Sequence, residues 1–305
     1  MTYAYRLAGE DLELAEAELR GFLRSQGVEE EPERTDRIAF TDSEPDQLKR
    51  LALTHEAVKV VERTGELDTD YRPERRFAVR AKDYAGDREE EIERELGEVL
   101  STEENEVDLD HPRETVRVYG FEEQYVIGRT VEDIDRGLFQ KRENEERPFQ
   151  SPVSMDPVLA RVLVNLSGVE PGGHVLDPFC GTGGILIEAG LCGVGVHGLD
   201  IQEEMVEGTR ENLEEYGVIV HDIQQGEVSE ALEMFGGMDA VVTDLPYGKA
   251  SKTEGNPVED LFDVLEGLAD RAVVVSDREE LRGMEPDHSV YVHGSMTRYI
   301  YQLSL

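Results

Sequence analysis

Asp177-Pro-Phe-Cys-Gly-Thr-Gly-Gly184 decides how this chain folds. The apolar pair Val175-Leu176 runs into an aspartate, then a turn bearing three glycines, then Ile185-Leu-Ile187. That is a β-strand ending on a carboxylate, followed by a loop whose backbone a ligand can approach closely, then a helix. Outward from it the alternation continues. Residues 194–200 read as a second strand, 203–216 as an amphipathic helix, and 240–244 and 271–276 as short apolar strands. Apolar strands alternating with helices belong to a parallel sheet covered on both faces. Residues 289–293 and 299–303, parted by Gly294-Ser295, read as a hairpin instead. The expected architecture of residues 141–305 is therefore α/β: a Rossmann-like doubly wound sheet closed by a terminal antiparallel hairpin.

The N-terminal half is less regular. Helix patterns cover residues 12–23, 46–63 and 88–100, and strand patterns cover 76–80, 114–119 and 124–128. This predicts a small α+β region over 1–140, joined to the rest by the polar segment 131–148. Residues 1–140 are expected to be separable, leaving cofactor binding to the C-terminal half.

At 305 residues two domains are the natural expectation. No apolar run approaches the roughly 18 residues of a membrane span. Two cysteines make no disulfide framework, and the N-terminus has no signal-peptide layout, so a reduced cytoplasmic setting is expected. The net charge is −38, with 6 lysines against 25 arginines. Acidic excess with scarce lysine is what a protein working in near-molar salt carries, where the Debye length shrinks to roughly 3 Å. The charge thus reports habitat and does not exclude a nucleic-acid partner. The seven histidines show no metal-ligand spacing, and no metal is expected.

The glycine spacing differs from the Gly-x-Gly-x-x-Gly that seats a pyrophosphate. Asp177 at the strand end suits a ligand carrying an ammonium and a sulfonium, as S-adenosylmethionine does, and would repel a diphosphate. Asp200, closing the second strand, can accept both ribose hydroxyls. Asp222 is placed to take the adenine amino group. Gly181, Gly183, Phe179 and Ile201 complete the expected cofactor contacts. Farther on, Asp244-Leu-Pro-Tyr247 follows a buried strand. An aromatic amine is a poor nucleophile because its lone pair is delocalised into the ring. The Asp244 carboxylate and the Leu245 carbonyl can accept its two N–H groups, Pro246 biases Leu245 toward an extended backbone, and Tyr247 offers a face for the base.

These motifs resemble the archaeal tRNA guanosine-10 N2-methyltransferases, class I enzymes preceded by an RNA-binding THUMP domain. The resemblance runs through Arg147-Pro-Phe-Gln-Ser-Pro-Val-Ser-Met-Asp-Pro157, the glycine loop, and Gly294-Ser-Met-Thr-Arg298 in the last hairpin. Phe77 to Arg80, Val107 to Pro112 and Tyr125 to Gly128 are similar to a THUMP domain, at about residues 45–130. The resemblance implies S-adenosylmethionine as cofactor and the 2-amino group of a guanosine in tRNA, position 10, as target. An adenine or guanine amine in ribosomal RNA, or an inactive RNA-binding protein, are the alternatives. One departure stands out: the family carries Asp-Pro-Pro-Tyr where this chain has Leu245. Leucine keeps the carbonyl, and replacing it with proline is expected to be neutral or activating. Arg72, Arg75, Arg76, Arg80 and Lys82 form the densest basic cluster and are the candidate RNA contacts, with salt bridging to neighbouring glutamates as the alternative use.

Overall fold

The computed structural model describes residues 1–152, 154–246, 256–294 and 296–305. In chain order its elements are β1 (Tyr3–Leu7), α1 (Leu12–Arg24), β2 (Glu33–Thr35), β3 (Ile38–Thr41), β4 (Thr54–Thr64), β5 (Arg76–Asp83), α2 (Glu89–Leu100), β6 (Glu106–Val107), β7 (Glu114–Gly120) and β8 (Tyr125–Asp133). There follow α3 (Pro157–Ser167), β9 (His174–Asp177), α4 (Gly184–Leu191), β10 (Gly195–Asp200), α5 (Glu203–Glu215), β11 (Val220–Gln225), α6 (Ala231–Phe235), β12 (Ala240–Asp244), α7 (Pro257–Leu268), β13 (Arg271–Ser276), β14 (His288–His293) and β15 (Met296–Ser304). They pack into two compact units.

The first unit, residues 1–12, 30–49 and 54–135, carries a sheet in the order β2-β3-β1-β4-β8-β7-β5-β6. Ile92, Leu96 and Leu100 of α2 bury against Phe77, Val79, Val116 and Val118 of the sheet. Residues 46–63, expected to be helical, are corrected here. A short 3-10 turn at Leu48–Arg50 is followed by the eleven-residue strand β4, which pairs with β1 on one side and β8 on the other. Its Thr54, Val58, Val60, Val61 and Thr64 are β-branched and fit a pleated, half-buried surface better than a helix.

The second unit comprises residues 13–29, 50–53 and 136–305. Its sheet runs β11-β10-β9-β12-β13-β15-β14, parallel except for β15 and β14. This is the doubly wound sheet with a terminal hairpin that the sequence predicts. Helices α3, α4 and α5 cover one face. On the other, α6 buries Ala231 and α7 buries Leu261, Leu265 and Leu268 in one cluster with Leu176, Leu199, Val241 and Val274. Helix α3 shows how sequence sets an element: the Asp156 carboxylate accepts from the Leu159 N–H at 3.1 Å, Pro157 occupies the first turn, and Gly168 ends the helix at φ 65°.

One boundary differs from expectation. Helix α1 and Arg50–Leu53 precede most of the first unit in sequence yet pack in the second. Buried Glu18 accepts from the N–H groups of Ala52 and Leu53, both at 2.7 Å, and from Asn165 Nδ2 at 2.8 Å. Arg50 Nε donates to Asn165 Oδ1 at 2.7 Å. Gly21 lies so near α3 that a Cβ there would come within 2.1 Å of the Asn165 carbonyl oxygen. An amphipathic pattern marks α1 as a helix without saying which core its apolar face covers.

Candidate active site

A cavity opens at the carboxyl ends of the parallel strands. Asp177, Phe179, Gly181, Asp200, Ile201, Asp244, Leu245 and Pro246 line it. Parallel strands deliver their last residues to one edge, which is why positions spread over 70 residues of sequence meet.

Asp177 ends β9 and is buried. Thr243 Oγ1 donates to its Oδ1 at 2.6 Å and the Phe179 N–H donates at 3.1 Å. These bonds favour the ionised form, but burial outweighs them and pushes the carboxyl up to about 7, with the Asp200 charge adding to the rise. Asp200 ends β10 and grips the loop: its Oδ2 accepts from the Gly181 N–H at 3.1 Å and its Oδ1 from the Gln202 N–H at 2.9 Å. Burial raises it too, and these two backbone bonds oppose the rise.

Two residues of the expected cofactor set, Gly183 and Asp222, do not line this cavity. Gly183 is not part of the cavity wall. It is the N-cap of α4 at φ 77°, and a Cβ there would come within 2.9 Å of Thr209, so its glycine serves the turn. Asp222 lies inside β11, in register with His197, and its Oδ2 accepts from Gln224 Nε2 at 2.5 Å. The strand continues to Gln225, so the residues delivered to the cavity are Gly226, Glu227 and Val228. The sequence Val-His-Asp-Ile-Gln-Gln is too polar to show where that strand ends.

The segment joining the halves is a structural part of the site. Buried Arg147 donates from Nη1 to Thr182 Oγ1 at 3.3 Å, and Ser154 Oγ lies 3.0 Å from the same hydroxyl. Asn212 Nδ2 donates to the carbonyls of Thr182 and Phe149, both at 2.9 Å. Ser151, Ser154 and Met155 line the cavity. The polarity of this segment therefore satisfies the glycine loop from outside.

At the end of β12, Asp244 is largely buried. Its Oδ2 lies 3.1 Å from Arg298 Nη2, and its Oδ1 has no hydrogen-bond partner among the described residues. Burial pushes its carboxyl up to about 7; Arg298 opposes the rise, while Asp177 and Asp277 add to it. Leu245 is buried in the core beside Val258 and Leu261, and its N–H donates to the Val275 carbonyl at 2.9 Å. Proline has no N–H, so Leu245→Pro would remove this bond, a cost that the expectation of a neutral exchange leaves out. Leucine fixes this backbone with a ladder bond and an apolar anchor where the family's motif uses a ring. Tyr247 lies outside the described residues.

In the first unit, Arg76, Arg80 and Lys82 alternate with buried Phe77, Val79 and Ala81 along β5 and so share one face. Arg80 is in register with Arg117. Arg76 pairs with Asp108 at 3.4 Å and Lys82 with Glu89 at 3.3 Å. Arg72 donates to the carbonyl of Tyr71 at 2.7 Å. Arg72 and Arg75 are exposed, just before the strand. Among the described residues no cluster could hold a metal ion, and no helix is long and apolar enough to cross a membrane.

The family described as UPF0020: RMKL-like, methyltransferase domain matches residues 144–275. The tRNA (guanine(10)-N2)-dimethyltransferase of Methanothermobacter thermautotrophicus is 37% identical over 84% of this chain and 81% of that protein. The protein of the same name from Pyrococcus abyssi is 34% identical over 69% and 68%. Among solved structures, TrmN from Thermus thermophilus superposes with a TM-score of 0.54 at 22% identity, covering 100% of this chain and 99% of that one, a likeness of fold.

Proposed function

We propose, since the chain belongs to the tRNA (guanine(10)-N2)-dimethyltransferase family, that it methylates the exocyclic 2-amino group of guanosine in tRNA, at position 10, with S-adenosylmethionine as donor. The observation that carries this reading is Asp244 Oδ1, an acceptor without a partner among the described residues, on a residue lining the cavity that Asp177 and Asp200 also line.

The residues present fit the cofactor. Asp177 would hold its ammonium and Asp200 its ribose hydroxyls. Gly181, at φ 51°, leaves open the space a side chain would fill. Glu227, two residues past the end of β11, would take the role Asp222 was expected to have, accepting from the adenine amino group. When bound, the cofactor supplies an electrophilic methyl group on a sulfonium. Asp244 Oδ1 and the Leu245 carbonyl accept the two N–H groups of the target amine and favour a pyramidal nitrogen. Oδ1 is then the nearest base for the proton that nitrogen must shed on gaining its new substituent. The protein's contribution is position and charge.

The first unit supplies RNA affinity as a THUMP-like domain, with the Arg76, Arg80 and Lys82 face of β5, flanked by Arg72 and Arg75, toward the phosphates. At high salt counterion release contributes little, so shape and stacking carry recognition. The chain's acidic composition and its two free cysteines, Cys180 and Cys192, suit a reduced, salt-rich cytoplasm. The test is nucleoside analysis of tRNA incubated with the purified protein and labelled cofactor. N2-methyl- or N2,N2-dimethylguanosine at position 10 is expected; label on adenosine, or none, would refute the reading.

A further inference from the structure

The terminal hairpin sends one cation to the reacting end of the sheet. Strand β15 pairs with β13 beginning at Tyr299 opposite Ser276, so Arg298 lies one residue beyond that ladder. Its side chain reaches past the end of β13 to Asp244 on the next strand. Arg298 is 4% exposed. Among the described residues, the other charged groups that act on Asp244 are of its own sign: Asp177 at the end of β9 and Asp277 just after β13. The guanidinium meets Oδ2 alone, and Oδ1 is left unpartnered among the described residues.

We propose that Arg298 is a positioning residue for methyl transfer, keeping Asp244 ionised and committing Oδ2 so that Oδ1 is the oxygen offered to the target amine. This rests on the proposed amine-methylating function. A protonated Asp244 would be a donor where an acceptor is needed, and one free to rotate would offer either oxygen. An opposite charge at this distance favours the ionised form by about one to three pH units, which sets it against the burial that raises Asp244.

The test compares wild type, Arg298→Met and Arg298→Lys by two independent readouts. One is the titration of Asp244 in cofactor-free protein, followed through the carboxyl carbon in aspartate-labelled samples and assigned with Asp244→Asn. The other is kcat on tRNA between about pH 6 and about pH 9. In Arg298→Met, Asp244 is expected to titrate about one unit or more above wild type. Its kcat near neutral pH falls about tenfold and recovers in alkali, while cofactor affinity is unchanged. Arg298→Lys lies between. The loss of charge itself is tolerable because the carboxyl can take up a proton. If Arg298→Met nevertheless fails to fold, the titration midpoint of Arg298→Lys decides. An unchanged midpoint, or a kcat loss independent of pH, overturns the proposal. If wild type makes no N2-methylguanosine while the midpoint still moves with Arg298, the proposed function fails and the electrostatic part of the proposal stands.

Discussion

The two ends of the second unit's sheet use the same strands for opposite purposes. Strand β9 begins with His174 and ends with Asp177; β10 carries His197 and ends with Asp200. At the far end His174, His197 and His221 gather with ring centroids 5.1–5.6 Å apart, His174 Nδ1 lies 3.0 Å from His197 Nε2, and Phe235 packs edge-on against His197. At the cavity end five carboxylates, Asp177, Asp200, Glu227, Asp244 and Asp260, line one cavity, and those of Asp177 and Asp244 are pushed up to about 7. One end packs its titratable groups against each other; the other holds them against an open space at an electrostatic cost. The lesson is that a cavity lined by several carboxylates, of which Asp244 meets an arginine through one oxygen, is arranged for a ligand of opposite charge. Substitutions there should change binding and turnover, whereas substitutions among the histidines should change stability.

The largest expected effect breaks turnover alone. Asp244→Ala should lower kcat by roughly 10²–10³ with cofactor affinity nearly unchanged, since the lost interaction strengthens only as the nitrogen becomes pyramidal. Single-turnover methylation of tRNA together with cofactor calorimetry measures both, and wild-type turnover would defeat the amine-positioning role. Asp244→Asn should be milder, because the amide oxygen still accepts one bond. Next, Asp200→Ala should weaken cofactor binding by about 10², since a charged acceptor for the ribose and the clamp on Gly181 vanish together, a loss of about 3 kcal/mol. Calorimetry on the folded variant checks it.

Leu245→Pro sharpens the comparison from within the cavity end. It removes the bond to Val275 and part of the buried leucine, so a stability loss of about 2 kcal/mol is expected, read by denaturant unfolding in concentrated salt. Unchanged stability would show that the ring substitutes fully for the bond. Smaller still is a pH effect. Free Asp177 holds its proton below about 7, and a cationic ligand binds the ionised form. Cofactor affinity should therefore be steady above that pH and fall by up to about tenfold per unit below it. A flat affinity from about pH 8 to about pH 6 would remove Asp177 from the ammonium site. The smallest effect belongs to the other end. Burial and the neighbouring His174 and His221 lower His197, against the pull of Asp222. Its folded pKa is below the unfolded value, so the unfolded state binds more protons as pH drops below about 6.5, and stability falls there. His197→Phe should lose stability less steeply over that range in thermal unfolding while methylating tRNA normally.

How much was legible follows from what sets each feature. The cavity is built at strand ends, and strands β9, β10, β12 and β13 are apolar runs with sharp ends, so Asp177, Asp200 and Asp244 could be placed from sequence. Strand β11 is polar and half exposed, so its sequence points to an end at Asp222, three residues before the strand stops at Gln225. The mixed apolar and charged residues of β4 fit either period, and pairing on both edges decides in favour of a strand. Arg298 was visible only as a residue of the hairpin motif. Nothing local distinguishes an arginine reaching a carboxylate two strands away from one reaching solvent.

The buried bond between Glu18 of α1 and Asn165 of α3 joins residues 147 positions apart in the chain. No single cut can therefore release the methyltransferase unit intact. Removing residues 1–140 takes with it Glu18, Arg50 and the helix that covers α3, and leaves Asn165 and Arg161 facing a vacated groove. A minimal catalytic fragment must keep 13–29 and 50–53 and shorten what lies between and after them. During synthesis, the helix made among the first must wait for Asn165 until 147 further residues have followed Glu18.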